Sequence, residues 1–247
     1  MIKAVILAGG KGTRLMPLTK DIPKPMIKIA GKPLLEWQVL LLKKYGITDI
    51  IFCTNYLHEV IENYFQDGKK WGVNIQHSVE TQELGTAGAV KLAEKYIGNN
   101  DFFVIFGDDM ISHNLLQMYK YHKKHNAEAT LLVHESSHPM DSDLIERDKT
   151  GKINRIFRPK PKDSFEPINL SCIYILKPSI LANIELKFGD FGKEIFPKLI
   201  TDDHHIQAYY SEEYAQDVGT LERLQKVEHD LISGQIFGLP NNKGEYL

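Results

Sequence analysis

The chain has 247 residues, 43% of them hydrophobic and 25% charged, with 30 basic and 32 acidic side chains and a formal net charge of −2. That balance excludes a disordered or low-complexity chain, and with no basic block beyond pairs such as Lys43-Lys44 and Lys123-Lys124 it argues against nucleic acid as a partner. Two cysteines, Cys53 and Cys172, each inside an apolar run, exclude a disulfide framework.

Residues 4–7 form a short apolar run that predicts a strand, and Leu7-Ala8-Gly9-Gly10-Lys11-Gly12-Thr13-Arg14-Leu15 leads out of it. Glycines at the end of a parallel strand let backbone N–H groups converge on an anion, so this turn reads as a phosphate cradle. It is not a dinucleotide fingerprint, which needs glycine where Leu15 stands, nor a P-loop, which needs Gly-Lys-Ser/Thr opening a helix. The cations offered are Arg14 and, between Pro23 and Pro25, Lys24. A ligand-free tight turn, a surface ion pair for Arg14 and an ordinary loop lysine are the alternatives.

Further strands are predicted at 49–53, 74–78, 102–106 and 129–134, with helices at 34–45, 58–65, 87–96 and 114–125. This alternation is the pattern of βαβ units around a mostly parallel sheet. The first helix follows Pro33 and stops at Gly46, the expected asymmetry of helix ends. The run 102–106 ends in Gly107-Asp108-Asp109 and would deliver a carboxylate to the C-terminal end of a buried strand, where open α/β sheets bind ligands.

From residue 141 the pattern turns to shorter β-like runs at 152–157 and 170–176, separated by a Pro/Lys-rich loop at 158–167. A helix near 192–199, a strand at 205–210 and a helix at 220–233 return the chain to the core, and a polar tail at 241–247 is expected to fray. Asp217-Val218-Gly219-Thr220 sets a second carboxylate just before a threonine suited to cap that helix. Two carboxylates beside a phosphate cradle are the donor set Mg²⁺ uses on a nucleotide; turn and capping roles are the alternatives for Asp108 and Asp217. The histidines at 122, 125, 204 and 205 read as surface residues.

In this order the motifs resemble the sugar-1-phosphate nucleotidylyltransferases, with Pro23-Lys24-Pro25 and Leu84-Gly85-Thr86-Ala87-Gly88-Ala89 carrying the likeness together with those above. The Leu84–Ala89 run and His138-Pro139-Met140-Asp141-Ser142-Asp143-Leu144 are most similar to the branch that uses GTP with mannose-type or heptose 1-phosphates. The resemblance implies a Rossmann-like mixed α/β sheet flanked by helices, of the glycosyltransferase-A-like kind, with a smaller β-rich sugar-binding subregion. It implies one domain over 1–235, with 1–135 mainly for the nucleotide and 136–215 mainly for the sugar phosphate, and a tail over 236–247. The implied activity moves a nucleoside monophosphate from a nucleoside triphosphate, GTP in this branch, to a sugar 1-phosphate. Pyrophosphate leaves, and the nucleotide sugar serves cell-surface polysaccharide synthesis.

By the same resemblance, nucleotide contacts fall on Leu7, Ala8, Gly9, Gly10, Gly12, Thr13, Glu80, Gly85 and Thr86, and catalysis on Arg14, Lys24 and Asp108. Mg²⁺ falls to Asp108 and Asp217, with Asp109 as the adjacent substitute, and the sugar phosphate to Lys160, Asp141, Asp143 and Asn169. Glu80 stands where thymidylyl relatives carry glutamine; an ionised carboxylate only accepts hydrogen bonds, which suits the adjacent N1–H and N2–H₂ donors of guanine. Two departures lie on the sugar side. Pro159-Lys160-Pro161 replaces Glu-Lys-Pro, and Leu170-Ser171-Cys172-Ile173-Tyr174 replaces Asn-Ala-Gly-Ile-Tyr, with Asn169 one place early.

The rivals are a thymidylyl-, uridylyl- or cytidylyltransferase and an inactive nucleotide-binding homologue. The second is disfavoured because Arg14, Lys24, Asp108 and Asp217 are all present. The expected partners are the nucleotide and the sugar phosphate, with no nucleic acid and no membrane, and a homo-oligomer is left open. No signal peptide is read at the N-terminus, so the expected location is the cytoplasm.

Overall fold

The computed structural model describes residues 2–136, 139–160, 164–236 and 238–239. The expected tail at 241–247, part of the 158–167 loop including Pro161, and His138 lie outside the described residues. The fold is mixed α/β and comprises two compact units. The first contains Met1–Glu83, Ile105–Leu115 and Glu213–Leu247, and the second Leu84–Val104 and Leu116–Glu212.

In the first unit the strand Lys3–Leu7 pairs in parallel with Asp49–Thr54, which pairs in parallel with Asn74–Val79. Lys3–Leu7 and Asp49–Thr54 carry continuous apolar runs because both their faces are covered, and Ala4, Val5, Ile6, Ile50, Ile51 and Phe52 are buried, whereas the edge strand Asn74–Val79 alternates between buried and more exposed residues. The register Leu7↔Cys53 and Thr54↔Val79 brings the strand ends level, so the residues that follow emerge along one edge. The helix Leu34–Lys44 buries Leu34, Leu35, Leu41 and Leu42 on one stripe. The helix His58–Phe65 sets the Phe65 ring edge-on to Phe52 at 5.1 Å.

Two strands of this unit, Asp109–Ser112 and Tyr214–Asp217, pair antiparallel with Asp217 opposite Asp109. Neither is foreseen by the sequence pattern, since each is four residues long and gains its ladder only from a partner about a hundred positions away. The helix Leu221–Ile232 follows, capped as expected by Thr220, whose hydroxyl accepts from the Arg223 N–H.

The second unit carries a mixed sheet. Ile168–Leu176 runs antiparallel to Ala129–Glu135, which pairs in parallel with Ile206–Tyr210. Leu144–Arg147, also unforeseen, forms an antiparallel pair with Ile153–Phe157. The expected helix 87–96 is two pieces, Gly85–Leu92 and Glu94–Ile97. The helix expected near 192–199 is a π-turn, Phe191–Ile195, continuing into Phe196–Thr201, with Phe191 and Phe196 packed against Tyr174 at 5.8 and 5.0 Å.

His122 corrects an expectation. It is wholly buried on the inner face of Leu115–His125, with Nδ1 2.7 Å from the Thr130 hydroxyl. No helix among the described residues is long and apolar enough to cross a membrane.

Candidate functional site

The residues singled out at the end of the first strand and at the two aspartates meet within the first unit. Pro23 is extended and Pro25 sits in the single 3₁₀ turn Lys24–Met26, so two restricted backbones aim one long side chain inward. The Lys24 Nζ donates to Asp108 Oδ2 at 2.8 Å and to Asp217 Oδ1 at 2.7 Å, and its side chain is 6% exposed.

Short-range geometry explains how two carboxylates 109 positions apart converge on it. Asp108 follows Gly107, whose N–H donates to the Leu7 carbonyl at 2.9 Å; a β-carbon at 107 would come 2.8 Å from that oxygen, so only glycine permits the approach. Asp217 arrives on the strand opposite Asp109, and the Val218 N–H donates to the Asp108 carbonyl at 3.0 Å. Arg223 Nη1 holds the other oxygen of Asp217, Oδ2, at 2.5 Å.

The charges compensate locally. Burial works against the Lys24 ammonium, but the two carboxylates outweigh it and its pKa is raised. Burial likewise opposes the Asp217 carboxylate, and Lys24 and Arg223 prevail, holding it below the usual range. At Asp109 the balance tips the other way: burial and the charges of Asp108 and Asp217 outweigh the pull of Lys24 and hold its carboxyl well above the ordinary value.

The glycine turn packs directly on this cluster. Gly12 has φ +63°, and a β-carbon there would lie 2.9 Å from Lys24 Cβ and 3.0 Å from Thr19 Cγ2. Thr19 Oγ1 ties the turn down by donating to the Gly12 carbonyl at 2.9 Å. Gly10 has open space where a side chain would be, and among the described residues no protein acceptor meets the amides of Gly9, Gly10, Lys11 or Gly12. Thr13 and Arg14 begin a short 3₁₀ turn. Arg14 Nη2 lies 3.0 Å from the point a β-carbon on Gly219 would occupy, which brings the guanidinium alongside the Asp217–Thr220 segment.

At the same strand edge Glu80 Oε1 and Asn55 Cβ stand 3.4 and 3.3 Å from the position a β-carbon on Gly9 would take. The backbone holds them there: Ala8 N–H donates to the Cys53 carbonyl and Glu80 N–H to that of Thr54, both at 2.8 Å.

In the second unit Gly85 and Thr86 are engaged by the 189–191 segment. Gly85 has φ +67° and would set a β-carbon 2.5 Å from the Gly189 carbonyl oxygen. The Thr86 hydroxyl accepts from the Phe191 N–H at 2.9 Å. Asp143 forms an ion pair with Arg158 Nε at 2.7 Å. Asn169 lies opposite His134 and Leu144 in the sheet and donates to the Leu170 carbonyl at 3.3 Å. Lys160 is exposed on the Pro-rich loop, and the side chain of Asp141 lies outside the described residues.

Arg223 and Asn55 are neighbours of the site that the sequence reading passes over. Arg223 carries a signal, a cation three positions after a capping threonine, whereas Asn55 gains its place only from strand register.

Hard carboxylate oxygens held together by an ammonium fit a divalent cation of the Mg²⁺ type. Among the described residues no group of three or more His, Cys, Asp or Glu side chains forms a metal cage, so such an ion would complete its shell with phosphate or water oxygens.

Residues 3–234 match the family model described as nucleotidyl transferase. The mannose-1-phosphate guanyltransferase of Yarrowia lipolytica is 39% identical over 222 residues, covering 88% of this chain and 61% of its own length. The Saccharomyces cerevisiae protein of the same name is 35% identical over 242 residues, covering 96% and 65%. The chain thus spans under two thirds of the length of these curated relatives. Among solved structures, HddC from Yersinia pseudotuberculosis complexed with GMP-PN superimposes with a TM-score of 0.78 at 27% identity, covering 94% of this chain and all of that one. UDP-glucose pyrophosphorylase from Acinetobacter baumanii shares the fold, with a TM-score of 0.80 at 22% identity and 94% of each chain covered. On the extent of the match, the chain belongs to the nucleotidyl transferase family.

Proposed function

We propose that this chain transfers a nucleoside monophosphate from a nucleoside triphosphate to a sugar 1-phosphate, as a guanylyltransferase acting on a mannose- or heptose-type phosphate. The observation that carries the reading is the Lys24 ammonium between Asp108 and Asp217, with Gly12 packed on its stem and open glycine amides beside it. An oxygen of the sugar phosphate attacks the α-phosphorus, and the bond from that phosphorus to the β-bridging oxygen breaks, so pyrophosphate leaves. A phosphate monoester is already a nucleophile, so the protein has to align two anions and neutralise charge.

In this reading Leu7, Ala8, Gly9, Gly10, Gly12 and Thr13 cradle the triphosphate through backbone groups. Arg14 offers a planar fork to the departing pyrophosphate, and Lys24 a point charge to the α-phosphate. Asp108 and Asp217 would hold Mg²⁺, which when bound draws negative charge off the phosphate oxygens. Glu80, held against Gly9, accepts from the guanine edge, and Gly85 and Thr86 act through the backbone they shape. Lys160, Asp141, Asp143 and Asn169 take the sugar phosphate, and the product would supply polysaccharide synthesis. The guanine choice is supported by the names of the yeast relatives and by the guanine nucleotide in the HddC structure.

The test is pyrophosphate release across GTP, ATP, dTTP, UTP and CTP against several sugar 1-phosphates, with and without EDTA. GTP with a mannose- or heptose-type phosphate gives the highest rate, and EDTA abolishes it. A preference for dTTP, UTP or CTP overturns the guanylyl assignment, release unaffected by EDTA overturns the metal, and no release from any pair overturns transferase activity.

A further inference from the structure

The core stripe of the helix Leu34–Lys44 is interrupted by a polar residue. Leu34, Leu35, Leu41 and Leu42 form its core stripe, and the place between them belongs to Gln38, only 1% exposed. A polar side chain is unfavourable at such a position unless its hydrogen bonds are made. Gln38 Nε2 donates to two backbone carbonyls, those of Phe106 at 2.8 Å and Asp109 at 2.7 Å, while its own Oε1 is buried with no hydrogen-bond partner among the described residues. The amide is thus held in the core by its donors, at the cost of an unsatisfied acceptor.

The two carbonyls it grips flank Gly107 and Asp108. Both donors of one planar amide span the tip that carries the carboxylate, so the tip cannot rotate without breaking a buried hydrogen bond. Other ties on this tip come from strands and loops, Gly107 N–H to Leu7, Val218 N–H to the Asp108 carbonyl, the pairing of Asp109 with Asp217 and Lys24 Nζ to Asp108, and Gln38 adds two from the helix.

We infer that Gln38 is a positioning residue for nucleotidyl transfer, pinning the Phe106–Asp109 turn so that Asp108 meets Lys24 and the reacting phosphates at one fixed place. The inference rests on the transferase reading above. A rigid backbone clamp behind a charged group matters because misplacement by about 1 Å can cost roughly a hundredfold in rate.

The experiment compares wild type, Gln38→Met, which keeps the volume and removes both donors, and Val39→Ala, a buried apolar change at the next position of the same helix that removes no side-chain hydrogen bond. Steady-state pyrophosphate release gives kcat and both KM values, and electron paramagnetic resonance titration gives Mn²⁺ affinity in the presence of the nucleotide. Gln38→Met should lower kcat about 10- to 100-fold and weaken Mn²⁺ by a similar factor, the range for loss of a supporting contact behind a metal ligand. Its KM for the sugar phosphate should stay within about twofold of wild type, as the clamp does not touch that substrate. Val39→Ala should lower the melting temperature and leave kcat and Mn²⁺ affinity unchanged.

If Gln38→Met fails to fold, Gln38→Asn replaces it; one methylene shorter, it reaches at most one carbonyl and should show a smaller loss of both quantities. Wild-type kcat and Mn²⁺ affinity in a folded Gln38 variant overturn the inference, as does an equal loss of both in Val39→Ala. An inactive wild type overturns instead the transferase reading on which it rests.

Discussion

Replacing Lys24 by methionine keeps most of the side-chain volume and removes the charge between Asp108 and Asp217. Removing one partner from a fully buried ion pair costs about 3–5 kcal/mol, because the other charge is left without compensation. Here Asp108 is 39% exposed, Asp217 is 29% exposed, and Asp217 keeps Arg223, so solvent and the arginine absorb part of the loss. The expected destabilisation is about 2–3 kcal/mol, or roughly 4–12 °C in melting temperature for a chain of this size. Catalysis should fall further, by about 10²- to 10³-fold in kcat, the scale of losing one preorganised charge at a reacting phosphate. Differential scanning fluorimetry and pyrophosphate release on the same preparation measure the two effects. Lys69→Met, which breaks the exposed pair of Lys69 with Asp67, is the control and should change neither. A Lys24→Met protein that melts early yet turns over at the wild-type rate would show that the lysine only holds the carboxylates together; unchanged melting would show that the ion pair contributes nothing to stability.

Glu80→Gln should lose about 1–3 kcal/mol of preference for GTP over dTTP, since an amide presents a donor where guanine also donates; an unchanged nucleotide ranking in kcat/KM refutes the assignment. Gly85→Ala should lower stability by about 2–4 kcal/mol, because φ is +67° and the new methyl would meet the Gly189 carbonyl, and wild-type melting would refute that reasoning. Burial pushes the His122 imidazole from 6.5 down to about 4, so the unfolded chain takes up a proton where the folded one does not, and stability should fall as pH drops from about 6.5 toward 4. At 1.36 kcal/mol per unit the full effect is about 3 kcal/mol, and His122→Gln should flatten that limb of the melting-temperature profile; an equally steep limb in the variant assigns it to other groups.

Elements whose signal is local were legible in the sequence. The runs at 4–7, 49–53 and 102–106 are apolar enough to declare buried strands, the more polar run at 74–78 sits in the βαβ rhythm they set, and observed ends differ from the expected ones by one residue at most. Thr220 announces its helix because a cap is set by neighbours three positions away. The pair Asp109–Ser112 and Tyr214–Asp217 was not legible, for neither four-residue stretch has a period long enough to read, and each is a strand only because the other lies beside it. His122 was misread for a related reason: the surrounding Lys and His residues look solvated in sequence, while the helix turns this one side chain onto Thr130.

The same division runs through the candidate site. The sequence by itself determined which residue types were available, namely a glycine turn at a strand end, two cations and two aspartates, because each follows a recognisable local grammar. Only the tertiary structure decided that Lys24 bridges Asp108 and Asp217, that Gly12 must be glycine because Lys24 Cβ lies against it, and that Arg223 and Gln38 brace the aspartates. The physical reason is range: a turn or a cap is fixed by interactions within a few residues, whereas a buried charge cluster exists only where distant segments are brought within about 3 Å by the packing of the strands and helices that carry them.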